Sequence, residues 1–169
     1  MIMPVIWGDP QRADYHAHSH RLKDLYNEVN HKFSDGAACV KWPRDLHPTW
    51  HLDEQGFVTG VDLHCYLYAS LPIWDYYSNA SGAAKAAWDS CYEALVEHEL
   101  AHCWMAYHAV QELENQLVNR TKADAEVRLR ELMAELDAEQ KQFDDDTDHG
   151  KKTGVDLNWS SDDDDFPAR

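Results

Sequence analysis

Basic residues are scarce in this sequence, which has 15 Lys and Arg against 31 Asp and Glu and a formal charge of −16 over 169 residues. A chain of this charge is repelled by nucleic-acid phosphates and by anionic membrane surfaces, so neither is an expected partner. Part of the excess is local, because four consecutive aspartates stand at 162–165, within residues 160–169, which we predict to be a flexible acidic tail. An acidic decoy that acts through its charge alone is one alternative function for such a chain.

Long apolar runs are absent as well. No stretch is long enough to cross a membrane, and residues 1–9 have neither the basic region nor the apolar centre of a signal peptide. These absences favour a cytoplasmic protein without a membrane partner. A secreted protein whose leader has been removed would have the same features, so secretion stays open.

Cysteine is also scarce, with four residues and no C-x-x-C pair. Cys91 and Cys103 fall on one predicted helix, 12 positions apart, which is too far for a bond between them. We therefore expect free, buried thiols. A disulfide between Cys39 and Cys65 on neighbouring strands is the alternative.

The sequence does contain a motif with a chemical meaning, His98-Glu99-Leu100-Ala101-His102. Side chains four positions apart share one face of an α-helix, so both imidazoles can reach one metal ion at about 2.0 to 2.1 Å. Glu99 is rotated by about 100° from His98, where it can act on a water molecule without ligating the metal. The pattern predicts metal-assisted hydrolysis with Glu99 as the catalytic residue.

The flanking sequence indicates which way the two histidines point. At helical spacing they continue one apolar stripe, whereas nearby carboxylates fall largely off it. The members of the stripe are Ala84, Ala87, Trp88, Cys91, Leu95, His98, His102, Ala106, Ala109, Leu113 and Leu117. Buried imidazoles need partners that offset their desolvation, and one metal ion would satisfy both. We therefore favour a metal site over a hydrogen-bonded pair of core histidines.

The first half of the chain predicts a helix and a small sheet. The helix is expected over 14–33, with Asp14 as its N-cap and the histidines at 16, 18 and 20 as a solvated surface cluster. Short strands are expected at 38–42 and 49–52. A longer strand is expected over 57–70, where apolar and polar residues alternate until Pro72, and together these strands predict one antiparallel sheet.

The second half predicts a long helical hairpin. One helix is expected over 82–118, a break at 119–121, and a second, highly charged helix whose start is marked by a capping box of Thr121 and Asp124. Because the connection is short, the two helices should be antiparallel neighbours. The fold class is therefore α+β, and the helix, sheet and hairpin would form a single zincin-like domain over 1–159.

The hairpin also predicts what faces the motif. If it turns at about residue 120, equal steps along both helices put residue 98 beside about 142 and residue 102 beside about 138, since each helix rises 1.5 Å per residue. The segment 143–150 would then leave the second helix next to the two histidines.

A catalytic zinc ion needs three protein ligands and one open position. His149 is the best candidate for the third ligand, because it lies just past the predicted helix end, where Gly150 lets the chain fold back. Asp144, Asp145 and Asp148 are alternatives, either as ligands or as acceptors for the distal N–H of a ligand histidine. Three imidazoles with an open position favour Zn²⁺, although nickel, cobalt or iron would accept the same donors.

Two separated motifs resemble those of one bacterial family. They are the H-E-x-x-H helix at 98–102 and the segment Phe-Asp-Asp-Asp-Thr-Asp-His-Gly at 143–150. The family is one of predicted secreted zinc-dependent proteases, catalogued as a domain of unknown function. The segment 71–74, Trp88 and Trp159 also resemble it, so the similarity spans roughly 37–159.

The resemblance implies residue roles and a location. His98 and His102 would be metal ligands, Glu99 the catalytic base and His149 a third ligand. It also implies a secreted protein, whereas the sequence itself has no evident secretion signal.

Together these patterns predict a zinc-dependent metalloprotease acting on a protein or peptide substrate. Zinc would polarise the scissile carbonyl and activate a water, while Glu99 takes the proton and passes it to the leaving amine. Candidates for an oxyanion or substrate contact are His64, Tyr68 and His108. The alternative from another class is a metal-stabilised binding module without turnover, which would keep the ligands but not need Glu99.

Overall fold

The computed structural model describes residues 5–7, 11–32, 39–41, 48–65 and 67–157, and it has the predicted α+β class. The helices are α1 (Leu22–Lys32), α2 (Gly82–Leu117) and α3 (Lys122–Thr147). The strands are β1 (Val5–Trp7), β2 (Gln11–Arg12), β3 (Tyr15–Ala17), β4 (Cys39–Lys41), β5 (Thr49–Leu52), β6 (Val58–Cys65), β7 (Tyr68–Ser70) and β8 (Pro72–Trp74). No helix in these ranges combines the length and the apolar character needed to cross a bilayer.

The chain divides into two compact units. The first comprises Met1–Gln11, Lys41–Leu67 and His102–Gln142, and the second comprises Arg12–Val40, Tyr68–Ala101 and Phe143–Arg169. The division falls between residues 101 and 102 of α2 and between residues 142 and 143 of α3.

The first unit is built on a three-stranded sheet in the order β1–β6–β5. Strand β6 pairs parallel with β1 and antiparallel with β5. Its inward side chains alternate along the strand and pack with α2 and α3, as the period of two requires. The buried cluster consists of Val58, Val61, Leu63, Cys65, Val110, Leu113, Leu117, Ala125 and Leu129.

The second unit contains the sheets β2–β7–β4 and β3–β8, together with α1 and the first half of α2. Its core is rich in tryptophan: the rings of Trp74 and Trp88 lie 5.7 Å apart, and the Trp74 indole N–H donates to the Ser19 carbonyl at 2.8 Å. The buried cluster consists of Ala17, Leu22, Leu25, Val29, Trp74, Ala80, Ala84, Trp88 and Leu157.

The prediction of a helix over 14–33 is wrong for its first eight residues. Residues 15–17 form strand β3, which pairs parallel with β8, and α1 begins only at Leu22. The burial pattern explains the error, because Tyr15 and Ala17 are buried while His16 is exposed, which is a strand period of two. His16 and His18 share the exposed side and both contact the carboxylate of Asp75.

The predicted strand over 57–70 is two strands. It breaks after Cys65, and β6 and β7 belong to different sheets. Pro72 does not end a strand but begins β8, where it pairs with Tyr15. The structure thus has three small sheets with parallel as well as antiparallel pairs, instead of one antiparallel sheet. Alternation of side chains reports which residues face a core, and it carries no information on partner or direction.

The two long helices are confirmed. Helix α2 is capped by Ser81, whose Oγ accepts the Ala84 amide at 3.1 Å. Asn119 has φ +64° and turns the chain after α2, and Thr121 Oγ1 accepts the Asp124 amide at 3.2 Å to cap α3.

The remaining predictions concern the cysteines and the acidic tail. Cys65 is a free, buried thiol, so the alternative disulfide with Cys39 does not form. Burial raises the pKa of this thiol to about 11. The predicted acidic tail at 160–169 lies outside the described residues.

Candidate metal centre

The two histidines of the motif lie one turn apart on α2 and face inward. His98 is 6% exposed and His102 is 7% exposed, and Glu99 beside them is 9% exposed. The predicted stripe on α2 is buried along its length, with Ala84, Trp88, Leu95, Ala106, Leu113 and Leu117 inside. A buried carboxylate between two buried imidazoles costs free energy unless its neighbours stabilise it, which makes this turn of α2 unusual for a core helix.

Helix α3 supplies a hydrogen-bond partner to each histidine. Asp144 Oδ1 lies 3.1 Å from His98 Nε2. Gln140 Oε1 contacts His102 Nδ1, and Gln140 Nε2 donates to the His102 carbonyl at 3.0 Å. An amide oxygen only accepts, so His102 Nδ1 carries the proton in this contact, and in the neutral ring Nε2 then has the lone pair. Gln140 therefore selects the tautomer in which His102 Nε2 can bind a metal.

The predicted hairpin register is correct to within two residues. Equal steps from residue 120 placed about 142 beside residue 98 and about 138 beside residue 102. The observed partners are Asp144 and Gln140. Both observed pairs are centred on residue 121, one residue after the assumed position of the turn.

The end of α3 holds the ring of His98 in place. Phe143 stacks on it with 4.9 Å between ring centroids and 19° between planes. Thr147 Oγ1 donates to the Phe143 carbonyl at 2.7 Å and accepts the Gly150 amide at 3.2 Å. Gly150 has φ +80°, and a Cβ atom there would lie 3.2 Å from His98 Cγ. The expectation that Gly150 lets the chain fold back is confirmed.

His98, His102 and Asp144 have the geometry of a metal-binding group. One ligand atom from each lies within 4.8 Å of the other two, and both histidines are buried. Two imidazoles and one carboxylate form a donor set that zinc takes in hydrolases. The residues present therefore fit a divalent transition metal, with Asp144 in the place for which His149 was the first candidate.

The other residues of the 143–150 segment lie outside this group. The side chain of His149 is 44% exposed, and its Nδ1 lies 3.9 Å from Asp144 Oδ1. Asp145 and Asp148 are exposed, and Asp148 has φ +50°. His149 is thus adjacent to the carboxylate of the group without belonging to it.

A family model matches residues 13–150, which include the H-E-x-x-H turn of α2 and the end of α3. The chain belongs to the family described as Bacterial protein of unknown function (DUF922). The predicted kinship with a bacterial family catalogued as a domain of unknown function is confirmed by this match, and the family description assigns no activity. No curated protein and no solved structure matches the chain.

The three predicted oxyanion or substrate contacts of this DUF922 member belong to three different elements. His64 lies on β6, and its side chain is outside the described residues. Tyr68 is half-buried on β7, and His108 is exposed on α2 with its ring stacked on Trp104. Neither Tyr68 nor His108 is a member of the metal-binding group.

Sequence reasoning missed Gln140. It precedes Asp144 by four residues, as His98 precedes His102 by four. In an antiparallel hairpin two residues four apart on one helix can face two residues four apart on the other, which is the signal that would have found it.

Proposed function

We propose that this protein is a metal-dependent peptidase in which Glu99 is the proton-transferring residue. The observation that carries the proposal is the group of His98, His102 and Asp144, whose two histidines are buried, directly beside a carboxylate that is itself 9% exposed. A metal-ligand set next to an acidic side chain is the arrangement that metal-assisted hydrolysis needs.

His98, His102 and Asp144 would hold the ion, which we propose to be zinc. Bound there, it would supply a Lewis acid and lower the pKa of water to about 7. Gln140 contacts the imidazole of His102 and Phe143 stacks on that of His98, so both rings are held in orientation by α3.

Glu99 supplies the proton chemistry. Its carboxylate accepts a proton from the attacking water and delivers it to the nitrogen of the leaving amine. Since Glu99 follows His98 directly in α2, its side chain is rotated by about 100° from the ligand direction, which suits a base better than a ligand. Its burial keeps competing water away from that proton.

Substrate has a route to the group at the end of α3. Asp144 is 28% exposed and His149 is 44% exposed, so the carboxylate member of the group lies at the surface while His98 is only 3% exposed at its side chain. A peptide carbonyl could approach on the Asp144 side. His149, 3.9 Å from that carboxylate, is placed to contact such a substrate.

A second candidate is a metal-stabilised module without turnover. It is favoured by the contacts that His98 and His102 already make with Asp144 and Gln140, because these would stabilise the fold whether or not Glu99 reacts. This candidate predicts that replacing Glu99 has no functional consequence.

The test compares the same substitution, Glu to Gln, at two positions of α2 that are two residues apart, 97 and 99. Protein purified without a metal-affinity tag is analysed for zinc, and a library of short peptides is screened for cleavage. Glu99→Gln should keep about one zinc per chain and lose about 10³-fold or more in turnover, whereas Glu97→Gln, at an exposed position, should keep both. Equal cleavage by the two variants would overturn the role of Glu99, and a wild type that binds zinc but cleaves no peptide would overturn the peptidase and favour the module. Absence of stoichiometric zinc from the wild type, even after zinc is added, would overturn both.

A further inference from the structure

The first unit contains an apolar groove that the proposed chemistry does not use. It has a volume of about 470 Å³ and is lined by residues 104–116 of α2 and 132–139 of α3. Its floor includes Leu113 and Leu136, each 3% exposed, and the half-buried Met105 and Met133. Two methionines among leucines make a surface that adapts to apolar side chains of different shapes.

The rim of the groove is acidic. Glu112, Glu135 and Glu139 line it, and all three are exposed. Arg128 pairs with Glu135 at 2.8 Å. Within the described part of the chain no Lys or Arg pairs with Glu112 or Glu139. Glu112 accepts a hydrogen bond from Asn115 at 3.2 Å, and both carboxylates have a charge that no described cation neutralises.

An exposed aromatic cluster stands at one end of the same groove. Trp104 lines it and is 59% exposed, with Tyr107 at 5.7 Å and His108 at 5.8 Å between ring centroids. An indole face exposed to this degree beside carboxylates is a good site for a Lys or Arg side chain, since the ring quadrupole attracts a cation.

The negative charge at the rim of the groove determines which molecules can bind there. A second copy of this chain carries −16 and would be repelled, as would the aspartate run at 162–165 of the same chain. Nucleic acids and anionic membranes are repelled for the same reason. A polypeptide segment with apolar side chains and lysines or arginines matches the floor, the rim and Trp104 together.

We propose that this groove binds a cationic, apolar segment of the polypeptide substrate, and this inference rests on the proposed peptidase function. The groove adjoins the His102–Gln140 contact: Trp104 and Met105 follow His102 within one turn of α2, and Glu139 directly precedes Gln140 on α3. A substrate segment held in it would lie beside the turn of α2 that contains His102. The expected preference is for basic, amphipathic substrates.

Binding is measured on Glu99→Gln protein, which cannot turn over, with a fluorescein-labelled 14-residue peptide of leucine and lysine. Two matched peptides replace every lysine by glutamate or every leucine by serine. The leucine-lysine peptide should bind, and both replacements should weaken binding by about tenfold or more. Equal binding of the serine peptide would overturn the proposal, because the apolar floor would then contribute nothing.

Protein variants locate the binding. The double variant Glu112→Lys with Glu139→Lys should weaken binding of the leucine-lysine peptide by about tenfold. The double variant Glu54→Lys with Glu93→Lys makes the same charge change at exposed positions outside the groove and should have little effect. Trp104→Ala, whose side chain is mostly exposed, is the second groove variant. Equal weakening by both double variants, with no effect of Trp104→Ala, would overturn the groove and leave general attraction to an acidic chain.

The two proposals fail separately. Peptide binding to the groove without cleavage by the wild type overturns the peptidase and keeps the groove as a docking site. Cleavage of library peptides that is unaffected by the groove variants, for basic and neutral sequences alike, keeps the peptidase and overturns the groove.

Discussion

Gly150 lies against the imidazole of His98. A Cβ atom at position 150 would be 3.2 Å from His98 Cγ and 2.5 Å from Val155 Cγ2, and the residue has φ +80°. The backbone at position 150 thus packs directly on the first histidine of the proposed site and leaves no room there for a side chain. Any side chain at 150 must displace Val155, His98 or both.

Gly150→Ala should therefore destabilise the protein by two separate effects. The left-handed backbone costs about 1 to 2 kcal/mol for a residue with a side chain, and overpacking adds about 1 to 3 kcal/mol. Gly56→Ala is the matched control, because Gly56 has φ +86° with nothing within 4 Å of an added Cβ. Denaturant unfolding should show the larger loss for Gly150→Ala. Equal losses for the two variants would mean that the contact with His98 and Val155 relaxes at no cost.

Gln140 should contribute to metal affinity through the tautomer of His102. Gln140→Leu removes the acceptor of the His102 Nδ1 proton, and we expect zinc affinity to fall by about 10- to 100-fold. Gln140→Glu keeps an acceptor oxygen and should retain most of the affinity. Competition with a chromophoric chelator measures both, and ¹⁵N–¹H correlation spectra of the imidazoles report the tautomer directly. A loss of melting temperature with unchanged zinc affinity and tautomer would reduce Gln140 to a packing role.

Asp144 and His149 compete for the place of the third ligand. The structure groups Asp144 with the two histidines, so Asp144→Ala should weaken zinc binding by about 100-fold or more, and His149→Ala by less than about tenfold. Asp145→Ala, at an exposed neighbour, controls for the loss of one negative charge near the end of α3. A larger loss of zinc affinity for His149→Ala than for Asp144→Ala would identify His149 as the third ligand, as predicted from the sequence.

Glu28 should make stability depend on pH. Burial tends to raise the pKa of its carboxyl group, but hydrogen bonds from the Ser19 hydroxyl and from the amides of His18 and Ser19 outweigh it, so the pKa is lowered. A lowered folded-state pKa means that the stabilisation is present above the unfolded-state value of 4.5 and is lost as pH falls through the folded-state value. Glu28→Gln should thus be less stable than wild type at pH 7, with a difference that shrinks below about pH 4.5.

Urea unfolding at pH 7 and at a series of pH values down to 3 measures this difference. Glu93→Gln, at an exposed position on α2, is the control for removal of one carboxylate. If the free energies of unfolding of wild type and Glu28→Gln differ by the same amount over the whole pH range, the lowered pKa of Glu28 would be contradicted.

The parts of the fold that sequence predicts well are those specified by local chemistry. The stripe on α2 and the capping box of Thr121 and Asp124 depend on residues that are close together in sequence, and α2 and α3 follow them closely. The hairpin register then follows from helix rise alone, which is why residues near 140 and 144 were expected opposite the motif.

The parts that sequence misses depend on distant partners. Tyr15 pairs with Pro72, and Val5 pairs with Leu63, across parallel strands. The sequence near each residue does not identify its partner strand. The segment 14–21 fits a helical spacing as well as a strand spacing, and its pairing with β8 decides the outcome. The identity of the third metal-binding residue had the same difficulty, since Asp144 and His149 differ by little more than one turn and only the observed end of α3 separates them.

The parallel pairs also affect the order in which the elements can pair during synthesis. Strands β1 and β3 leave the ribosome well before β6 and β8, so each must wait, unpaired, while the intervening chain is made. The α2–α3 hairpin needs only the short connection at 118–121 and can close as soon as α3 emerges. Asp144 is added after both histidines, so the group of His98, His102 and Asp144 is complete only once the end of α3 has been synthesised.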